Sequence, residues 1–242
     1  MTYQEFEQLL QESCKNNNIS PLDTAKTEAF FKFTEHLMAV NQVTNLTAIR
    51  DIPGVITKHY IDSLFASEFI PTGAKVLDIG CGPGFPTVPL AIYRPDLQIT
   101  ALDSTQKKIS FVEESAKLLD LKNVVALSAR AEDHELLKKL GKFDVVTSRA
   151  VAKLNVLCEL DLPYVKIGGI MLARKAAKGE EELAEAQNAI RILGGGDAVI
   201  HNKTLWIDQA QQENRCLISI TKQKQTPPSY PRPFATIKKK EL

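Results

Sequence analysis

Cysteine is sparse in this chain of 242 residues, and its four copies lie far apart. They are Cys14, Cys81, Cys158 and Cys216, which form no C-x-x-C pair and have no histidine nearby at ligand spacing. The sequence therefore predicts neither a disulfide framework nor a metal site.

Long apolar runs are also missing, and no leader sequence is expected. No stretch approaches the roughly 20 apolar residues that cross a bilayer, and the acidic start Met1-Thr2-Tyr3-Gln4-Glu5 is followed by no apolar segment. We therefore expect a cytoplasmic protein without a membrane partner. A strong overall charge is absent as well, since the formal net charge is +1. Basic residues gather after Ile220, where a nucleic-acid contact and a merely solvated tail are equal alternatives.

The pattern of apolar residues divides the chain into an N-terminal helical region over 1–70, an α/β domain over 71–221 and a basic C-terminal tail over 222–242. In the first region, helices are expected before Asn16, from Ser20-Pro21 and from near Pro53, with a loop over 43–51. The proline-rich tail is expected to be extended, with order only against RNA or the body of the protein as an alternative.

From Lys75 onward, short apolar strands alternate with helices, which is the pattern of βαβ units and a parallel sheet. No helix separates the last two strands, so a closing hairpin would add one antiparallel strand. We therefore expect an α/β, Rossmann-like fold with a mostly parallel sheet. Strands are predicted over 75–79, 98–103, 123–128, 143–147, 168–174, 197–207 and 214–221, and helices over 85–93, 106–119, 133–140, 152–161 and 179–193.

The most informative segment is 75–90, where a predicted strand is followed by three glycines at alternate positions, Gly80, Gly82 and Gly84. A strand, a glycine turn and a helix present backbone N–H groups and a helix N-terminus to a nucleotide-like ligand. A dinucleotide-binding G-x-G-x-x-G motif would need glycine where Phe85 stands. Asp78 suits a cationic ligand, such as the sulfonium and ammonium groups of S-adenosylmethionine, better than a pyrophosphate. The motif therefore favours a methyltransferase.

The second and third strands end in candidates for the nucleoside half of a cofactor site, because ligands of open parallel sheets bind at the carboxyl ends of the strands. Asp103 has the spacing of a ribose-binding acid, with a helix-capping surface residue as the alternative. The backbone N–H of Ala131 and the carboxylate of Glu132 could read an adenine edge, although Glu132 also suits an ordinary helix start.

The fourth and fifth strands end in residues that suit the acceptor side of a transfer reaction. Ser148 and Arg149 end the fourth strand, and a guanidinium binds phosphate, carboxylate or the O6/N7 edge of guanine. A structural ion pair is the alternative for Arg149. Arg174, Lys175 and Lys178 add a basic cluster over the same rim. No N-P-P-Y or D-P-P-Y motif follows the fourth strand, so methylation of an exocyclic base amine is disfavoured.

The order and spacing of these motifs resemble those of the RsmG family (GidB, glucose-inhibited division protein B), bacterial methyltransferases of small-subunit ribosomal RNA. The match covers nearly the whole chain. Two departures are that Arg174 replaces an apolar residue of many relatives and that Pro233-Phe234-Ala235 replaces a basic, glycine-containing tail. The matching motifs are Asn45-Leu46-Thr47, Arg50-Asp51, His59-x-x-Asp62-Ser63-Leu64, Asp78 to Pro86, Leu102-Asp103-Ser104, Arg130-Ala131-Glu132, Ser148-Arg149-Ala150, Leu172 to Ala177 before Glu180, and Tyr230-Pro231-Arg232 with Ile237-Lys238.

The resemblance implies a class I enzyme that uses S-adenosyl-L-methionine to methylate N7 of one guanosine in 16S rRNA, within the small ribosomal subunit or its precursor. It assigns Gly80, Phe85, Ala131, Glu132 and Arg149 to the cofactor. Together with the strand-end residues, the predicted cofactor contacts are Asp78, Gly80, Gly82, Gly84, Phe85, Asp103, Ala131, Glu132 and Arg149. The predicted catalytic residues are Ser148 and Arg149, and the predicted RNA contacts are Asn45, Arg50, His59, Arg174, Lys175, Lys178 and Arg232. For His59, a helix-packing histidine is an equal alternative.

The chemistry of guanine N7 agrees with this inventory, because the atom has a free lone pair and no proton to remove. Two other functions remain open from the sequence. One is methylation of a protein or small molecule, which the basic rim disfavours. The other is a non-catalytic role as an RNA-binding ribosome-assembly protein, which the intact glycine turn and Asp103 disfavour.

Overall fold

Seven strands form one sheet in the computed structural model, which describes residues 1–149, 152–175, 179–208 and 210–242. They are β1 (Lys75–Ile79), β2 (Gln98–Asp103), β3 (Val124–Ser128), β4 (Phe143–Arg149), β5 (Val165–Lys175), β6 (Gly195–Trp206) and β7 (Gln212–Lys222). The strand order is β3-β2-β1-β4-β5-β7-β6, and β7 runs antiparallel to both of its neighbours. The predicted mostly parallel, Rossmann-like sheet with one antiparallel strand is therefore confirmed.

Both faces of the sheet are apolar, because successive strand residues point to opposite sides. Val76 on β1 and Val145 on β4 pack in the apolar cluster of one face, whereas their neighbours Leu77 and Val146 pack in the cluster of the other face. All four side chains are fully buried. Such nearly continuous apolar strands are typical of a parallel sheet covered by helices on both sides.

The helices alternate with the strands as predicted, with shifts of one or two residues at their ends. The segments α3 and α4 are joined by π-helical turns over Val55–Ile61, a rare geometry that is common at functional sites. The helices in the described ranges are α1 (Tyr3–Asn16), α2 (Thr24–Thr44), α3 (Ile52–Gly54), α4 (Asp62–Leu64), α5 (Thr87–Tyr93), α6 (Gln106–Leu118), α7 (His134–Leu140), α8 (Leu154–Asp161), α9 (Gly179–Ile192) and α10 (Phe234–Lys239).

The predicted start of the second helix is wrong. The helix begins at Thr24 rather than at Ser20-Pro21, because Asp23 caps it by accepting a hydrogen bond from the backbone N–H of Lys26 at 2.8 Å. It also continues to Thr44, two residues into the predicted loop.

The N-terminal helices are fixed to the sheet through Tyr60, whose side chain is fully buried. Phe30 and Phe33 of α2 lie with their ring centroids 4.9 and 5.9 Å from the Tyr60 ring. The Tyr60 hydroxyl pairs with Thr34 Oγ1 at 2.7 Å, which satisfies the one polar atom that this aromatic cluster buries. The segment that carries His59 and Asp62 is thereby held against the carboxyl ends of the strands.

The tail is not extended throughout, and part of it is ordered against the body of the protein. Residues 234–239 form α10, and Ile237 is only 1% exposed. Lys222 belongs to β7 and is 2% exposed, so it contributes no charge to a basic tail. Burial of Ile237 in the apolar cluster stabilises this helix although the segment is rich in proline.

Candidate functional site

A pocket of about 1040 Å³ lies over the carboxyl ends of β1, β2, β4 and β5. The strand order reverses between β1 and β4, which is where open α/β sheets bind their ligands. Its lining includes many of the residues that the sequence predicted, namely His59, Gly80, Gly82, Phe85, Asp103, Ala131, Glu132, Arg149, Arg174 and Lys175. The fold therefore collects residues from widely separated motifs into one cavity.

The glycine turn shapes the pocket by leaving its wall without side chains. Gly82 has a φ of +55°, which disfavours any residue with a side chain, and a Cβ built on it would meet no atom within 4 Å, so the space beside it is open. Gly84 instead allows close packing, since its Cβ would lie 2.8 Å from Val88 Cγ2 of α5. Both positions therefore require glycine, for different reasons.

The expectation that this turn offers bare N–H groups is wrong for Gly80 and Gly82. The Gly80 N–H donates to the carbonyl of Leu102 at 2.7 Å, and the Gly82 N–H donates to Asp103 Oδ2 at 3.0 Å. These bonds join the turn after β1 to the end of β2. The turn is thus held in place before any ligand binds.

Asp103 keeps its position at the end of β2, with 8% of its surface exposed. Its Oδ1 accepts from the Thr105 N–H at 2.8 Å, and Lys108 Nζ lies 3.7 Å from Oδ2. A carboxylate has about four acceptor positions, so Asp103 retains capacity for a hydroxyl in the pocket that it lines.

Ala131 and Glu132 line the same end of the pocket. Tyr164 donates from its hydroxyl to the Ala131 carbonyl at 2.9 Å and thereby fixes this turn. Within the described residues, the backbone N–H of Ala131 has no hydrogen-bond acceptor. Glu132 accepts from Arg130 Nε at 2.6 Å, which orients its carboxylate.

Arg149 lines the pocket and contacts both the N-terminal helical region and Phe85. It donates from Nη1 to Asp62 Oδ2 at 3.1 Å and from Nη2 to His59 Nδ1 at 3.1 Å. Its Cζ lies 5.4 Å from the centroid of the Phe85 ring, a cation–π contact. Phe85 also stacks on His59 with centroids 4.2 Å apart. Arg149 therefore joins the glycine motif to the N-terminal helices.

His59 is held as a neutral hydrogen-bonded imidazole. Because Arg149 can only donate, Nδ1 accepts, and Nε2 therefore carries the proton and donates to Thr47 Oγ1 at 2.8 Å. Burial, reinforced by the Arg149 charge, lowers the pKa of His59 to about 3. Through Thr47 this side chain also fixes the loop that contains Asn45 and Arg50, which bond to each other at 2.8 Å on the exposed surface.

Asp62 is shared by a second arginine that sequence reasoning missed. Arg215 of β7 donates from Nε to Asp62 Oδ1 at 2.9 Å, and Arg174 donates to the Asp62 backbone carbonyl at 3.4 Å. Both arginines line the pocket beside Arg149. Arg215 also pairs with Glu213 Oε2 at 2.6 Å. Three guanidinium groups against two carboxylates leave this wall with a net positive charge, and no local pattern in the sequence links Arg215 to Asp62.

Arg174 is 8% exposed, and its Nε and Nη2 have no hydrogen-bond partner in the described part of the chain. Burial lowers the pKa of this guanidinium to about 10. Lys175 contacts the Ala152 carbonyl and pairs with Glu182 Oε2 at 2.7 Å. Lys178, the third residue of the predicted basic cluster, lies outside the described residues.

Three other predicted site residues are not part of the pocket lining. Asp78 is 1% exposed and accepts from Thr87 Oγ1 at 2.6 Å, and burial raises its pKa to about 6. Ser148 is fully buried beside Asp161. Arg232 forms a fork with Glu159, through Nε at 2.8 Å and Nη2 at 2.6 Å. Direct contacts of these three side chains with cofactor or RNA remain predictions.

The sheet order and the pocket at its switch point define a class I, S-adenosylmethionine-dependent methyltransferase. Two solved structures with this fold are TYW2 of M. jannaschii in complex with AdoMet (TM-score 0.51, 19% identity, 66% of this chain and 72% of that one) and precorrin-6y C5,15-methyltransferase of Geobacter metallireducens GS-15 (TM-score 0.50, 16% identity, 74% and 92%). At these identities the likeness concerns the fold alone.

The family model described as rRNA small subunit methyltransferase G matches residues 26–210, and the chain belongs to that family. Ribosomal RNA small subunit methyltransferase G of Desulforamulus reducens is 43% identical over 220 residues, covering 90% of each chain. The protein of the same name from Staphylococcus carnosus is 38% identical over 237 residues, covering 96% of this chain and 97% of the relative. The family predicted from the motifs is therefore confirmed.

No helix in the described ranges is long and apolar enough to cross a membrane.

Proposed function

We propose that this protein transfers the methyl group of S-adenosylmethionine to N7 of a guanosine in 16S rRNA, in the cytoplasm and on the small ribosomal subunit or its precursor. The observation that carries the proposal is one pocket with a nucleoside-binding wall on one side and three guanidinium groups on the other. The relatives named ribosomal RNA small subunit methyltransferase G support the choice of substrate.

The cofactor half of the pocket fits S-adenosylmethionine. Gly82 leaves room at the wall, Asp103 offers acceptor positions for ribose hydroxyls, and the Ala131 N–H would donate to an adenine edge. When bound, the cofactor supplies an electrophilic methyl group on its sulfonium. The carboxylate of Asp103 and the ring of Phe85 would both help to orient it.

The acceptor half of the pocket suits an anionic strand. Arg149, Arg174 and Arg215 carry three positive charges, against the two carboxylates of Asp62 and Glu213 that bind Arg149 and Arg215. Such a wall attracts the phosphates that flank a nucleotide. The Asn45 to Arg50 loop, fixed beside it through Thr47, would extend the contact along the RNA.

The reaction at guanine N7 requires alignment rather than proton transfer. N7 has no proton, and His59 already uses both ring nitrogens in hydrogen bonds, so it is not available as a base. Holding two reactants in line supplies roughly 7–11 kcal/mol of barrier reduction. The deep major groove of A-form RNA hides N7, and the proposed target is therefore an unpaired guanosine.

Labelled methyl transfer tests the proposal against the two alternatives. Purified protein and labelled S-adenosylmethionine are incubated with one acceptor in each reaction. The acceptors are small-subunit RNA, large-subunit RNA, assembled small subunits and ribosomal protein. The proposal expects label in small-subunit RNA, free or assembled, and background label in large-subunit RNA. Label confined to protein would establish another acceptor. Binding of the subunit without any transfer would establish a non-catalytic assembly factor.

A further inference from the structure

Phe234, in the C-terminal segment, is part of the pocket wall, although it lies more than 100 residues beyond the glycine turn in the sequence. We propose that the segment 230–242 closes the adenine end of the pocket and that Phe234 is a positioning residue for the cofactor. The inference rests on the proposed binding of S-adenosylmethionine, and it assigns to the tail a task other than RNA contact.

The segment is anchored on the amino-terminal side of Phe234. Glu159 of α8 has only 1% of its side chain exposed, and Arg232 neutralises it with a two-bond fork and a backbone N–H bond at 2.9 Å. His134 Nε2 lies 2.9 Å from the Pro231 carbonyl. An ionised carboxylate removed from water is stabilised when it is paired and hydrogen-bonded, so these bonds hold residues 231–232 against α8 and the start of α7.

The segment is also anchored on the carboxyl-terminal side. Ile237 is inserted in the apolar cluster that covers one face of the sheet. Glu241 accepts from Lys153 Nζ at 3.2 Å and from Asn155 Nδ2 at 3.1 Å, both on α8 or its N-cap. Phe234 thus lies between two attachment points, and the backbone around it has little freedom to move away from the pocket.

The Phe234 ring is positioned by two cations. Arg130 Cζ and Lys238 Nζ each lie 5.4 Å from the ring centroid. Arg130 also donates to Glu132, the carboxylate beside the predicted adenine site. The ring is therefore connected through one side chain to the residues that would read the adenine edge.

An aromatic ring at this place suits a purine better than it suits a phosphate. Phe234 shares the pocket wall with Ala129 and Ala131, and together they form an apolar surface next to the hydrogen-bonding groups of the turn. Purine rings pack favourably on aromatic side chains, beyond the gain from burial.

Calorimetric titration of the full-length protein with S-adenosylhomocysteine, and in parallel with adenosine, tests the proposal. We expect Phe234→Ala to raise the Kd of both ligands by about tenfold, and Phe234→Leu to raise it less because an apolar side chain remains. Thr236→Ala, an exposed position on the same helix, serves as the control and should bind like the wild type. Equal weakening for adenosine and for S-adenosylhomocysteine locates the effect at the nucleoside end.

Three results would overturn the proposal. Wild-type affinity in Phe234→Ala, with thermal melting unchanged, would make the ring a bystander. Weaker binding of S-adenosylhomocysteine with unchanged adenosine binding would place the effect elsewhere. No binding by the wild type would overturn the cofactor assignment itself, which separates that failure from a failure of the Phe234 inference. If Phe234→Ala melts at a lower temperature, Phe234→Leu gives the deciding comparison.

Discussion

Arg149 donates to Asp62 at 3.1 Å across 87 residues of sequence. Their side chains are 17% and 9% exposed, so the pair is largely removed from water. It links the carboxyl end of β4 to the helical segment before β1. The acceptor side of the pocket and the attachment of the N-terminal helices therefore depend on the same ion pair.

Asp62→Asn is expected to lower the free energy of unfolding by about 3 kcal/mol, because two guanidinium groups would lose their shared carboxylate in a largely buried position. Urea denaturation measures the change. Glu213→Gln is the matched control, since Glu213 also pairs with Arg215 but is 36% exposed, and it should cost less than about 1 kcal/mol. Equal costs for the two variants would contradict the role of Asp62.

Arg149→Ala is expected to slow methyl transfer to RNA about tenfold or more, because one charge-assisted hydrogen bond contributes about 1.5–3 kcal/mol. Initial rates at saturating cofactor give the comparison. Arg94→Ala is the control: Arg94 is similarly buried in an ion pair with Asp96, away from the pocket. If both variants lost activity only in proportion to their folded fraction, Arg149 would be a structural charge.

Asp103→Ala is expected to weaken the binding of S-adenosylhomocysteine by about 1–3 kcal/mol, since a charged acceptor is removed. Asp133→Ala offers a control, because Asp133 also accepts backbone hydrogen bonds, from Glu135 and Leu136, but does not line the pocket. Calorimetry should show weaker binding for the first variant only. Unchanged affinity in Asp103→Ala would remove this carboxylate from the cofactor site.

Sequence patterns predicted the sheet and the residues at its strand ends because both depend on short-range signals. Alternating apolar strands and helices predict that β1 to β5 are parallel strands of one sheet, and the carboxyl ends of parallel strands meet at one edge. The positions of Asp103, Ala131 and Arg149 in the sequence are therefore sufficient to predict that they share one site.

Other parts of the site depend on contacts between distant residues, which no local pattern records. Arg215 reaches Asp62 across 153 residues, and Arg232 reaches Glu159 across 73. The sequence showed each charge but not its partner. The N–H groups of Gly80 and Gly82 were expected to be free. Their acceptors, the carbonyl of Leu102 and the carboxylate of Asp103, come near them only when β1 and β2 pair, and no local sequence pattern shows this.

Asp161 should make stability depend on pH. It is fully buried, and burial raises its pKa to about 8 from an ordinary value near 3.8. The folded state holds this proton more tightly than the unfolded state. Its contribution to the free energy of unfolding is therefore complete below about pH 4 and is lost as pH rises through about 8. Asp161→Asn should lose this part of the pH profile, measured by urea denaturation from pH 5 to 9. Asp197→Asn, an exposed change of the same kind, should keep the wild-type profile, and identical profiles for all three proteins would contradict the prediction.

The double substitution Lys239→Gln and Lys240→Gln tests the tail as an RNA contact. Both lysines are exposed at the end of the chain, and each phosphate contact contributes about 0.7 to the salt dependence of single-stranded binding. The slope of log affinity against log salt should therefore fall by about 1.4. The control pair Lys117→Gln and Lys122→Gln, exposed on another part of the surface, should leave it unchanged. Equal slopes for both double variants would show that the tail is only solvated.

The most direct test of the proposed function is nucleoside analysis of 16S rRNA from cells that lack this protein, before and after incubation with the purified protein and S-adenosylmethionine. The proposal predicts one new 7-methylguanosine per RNA molecule, and about tenfold less or lower with Arg149→Ala at an early matched time. A methyl group on another atom or nucleoside, or no incorporation into RNA or subunits despite tight binding of S-adenosylhomocysteine, would contradict it.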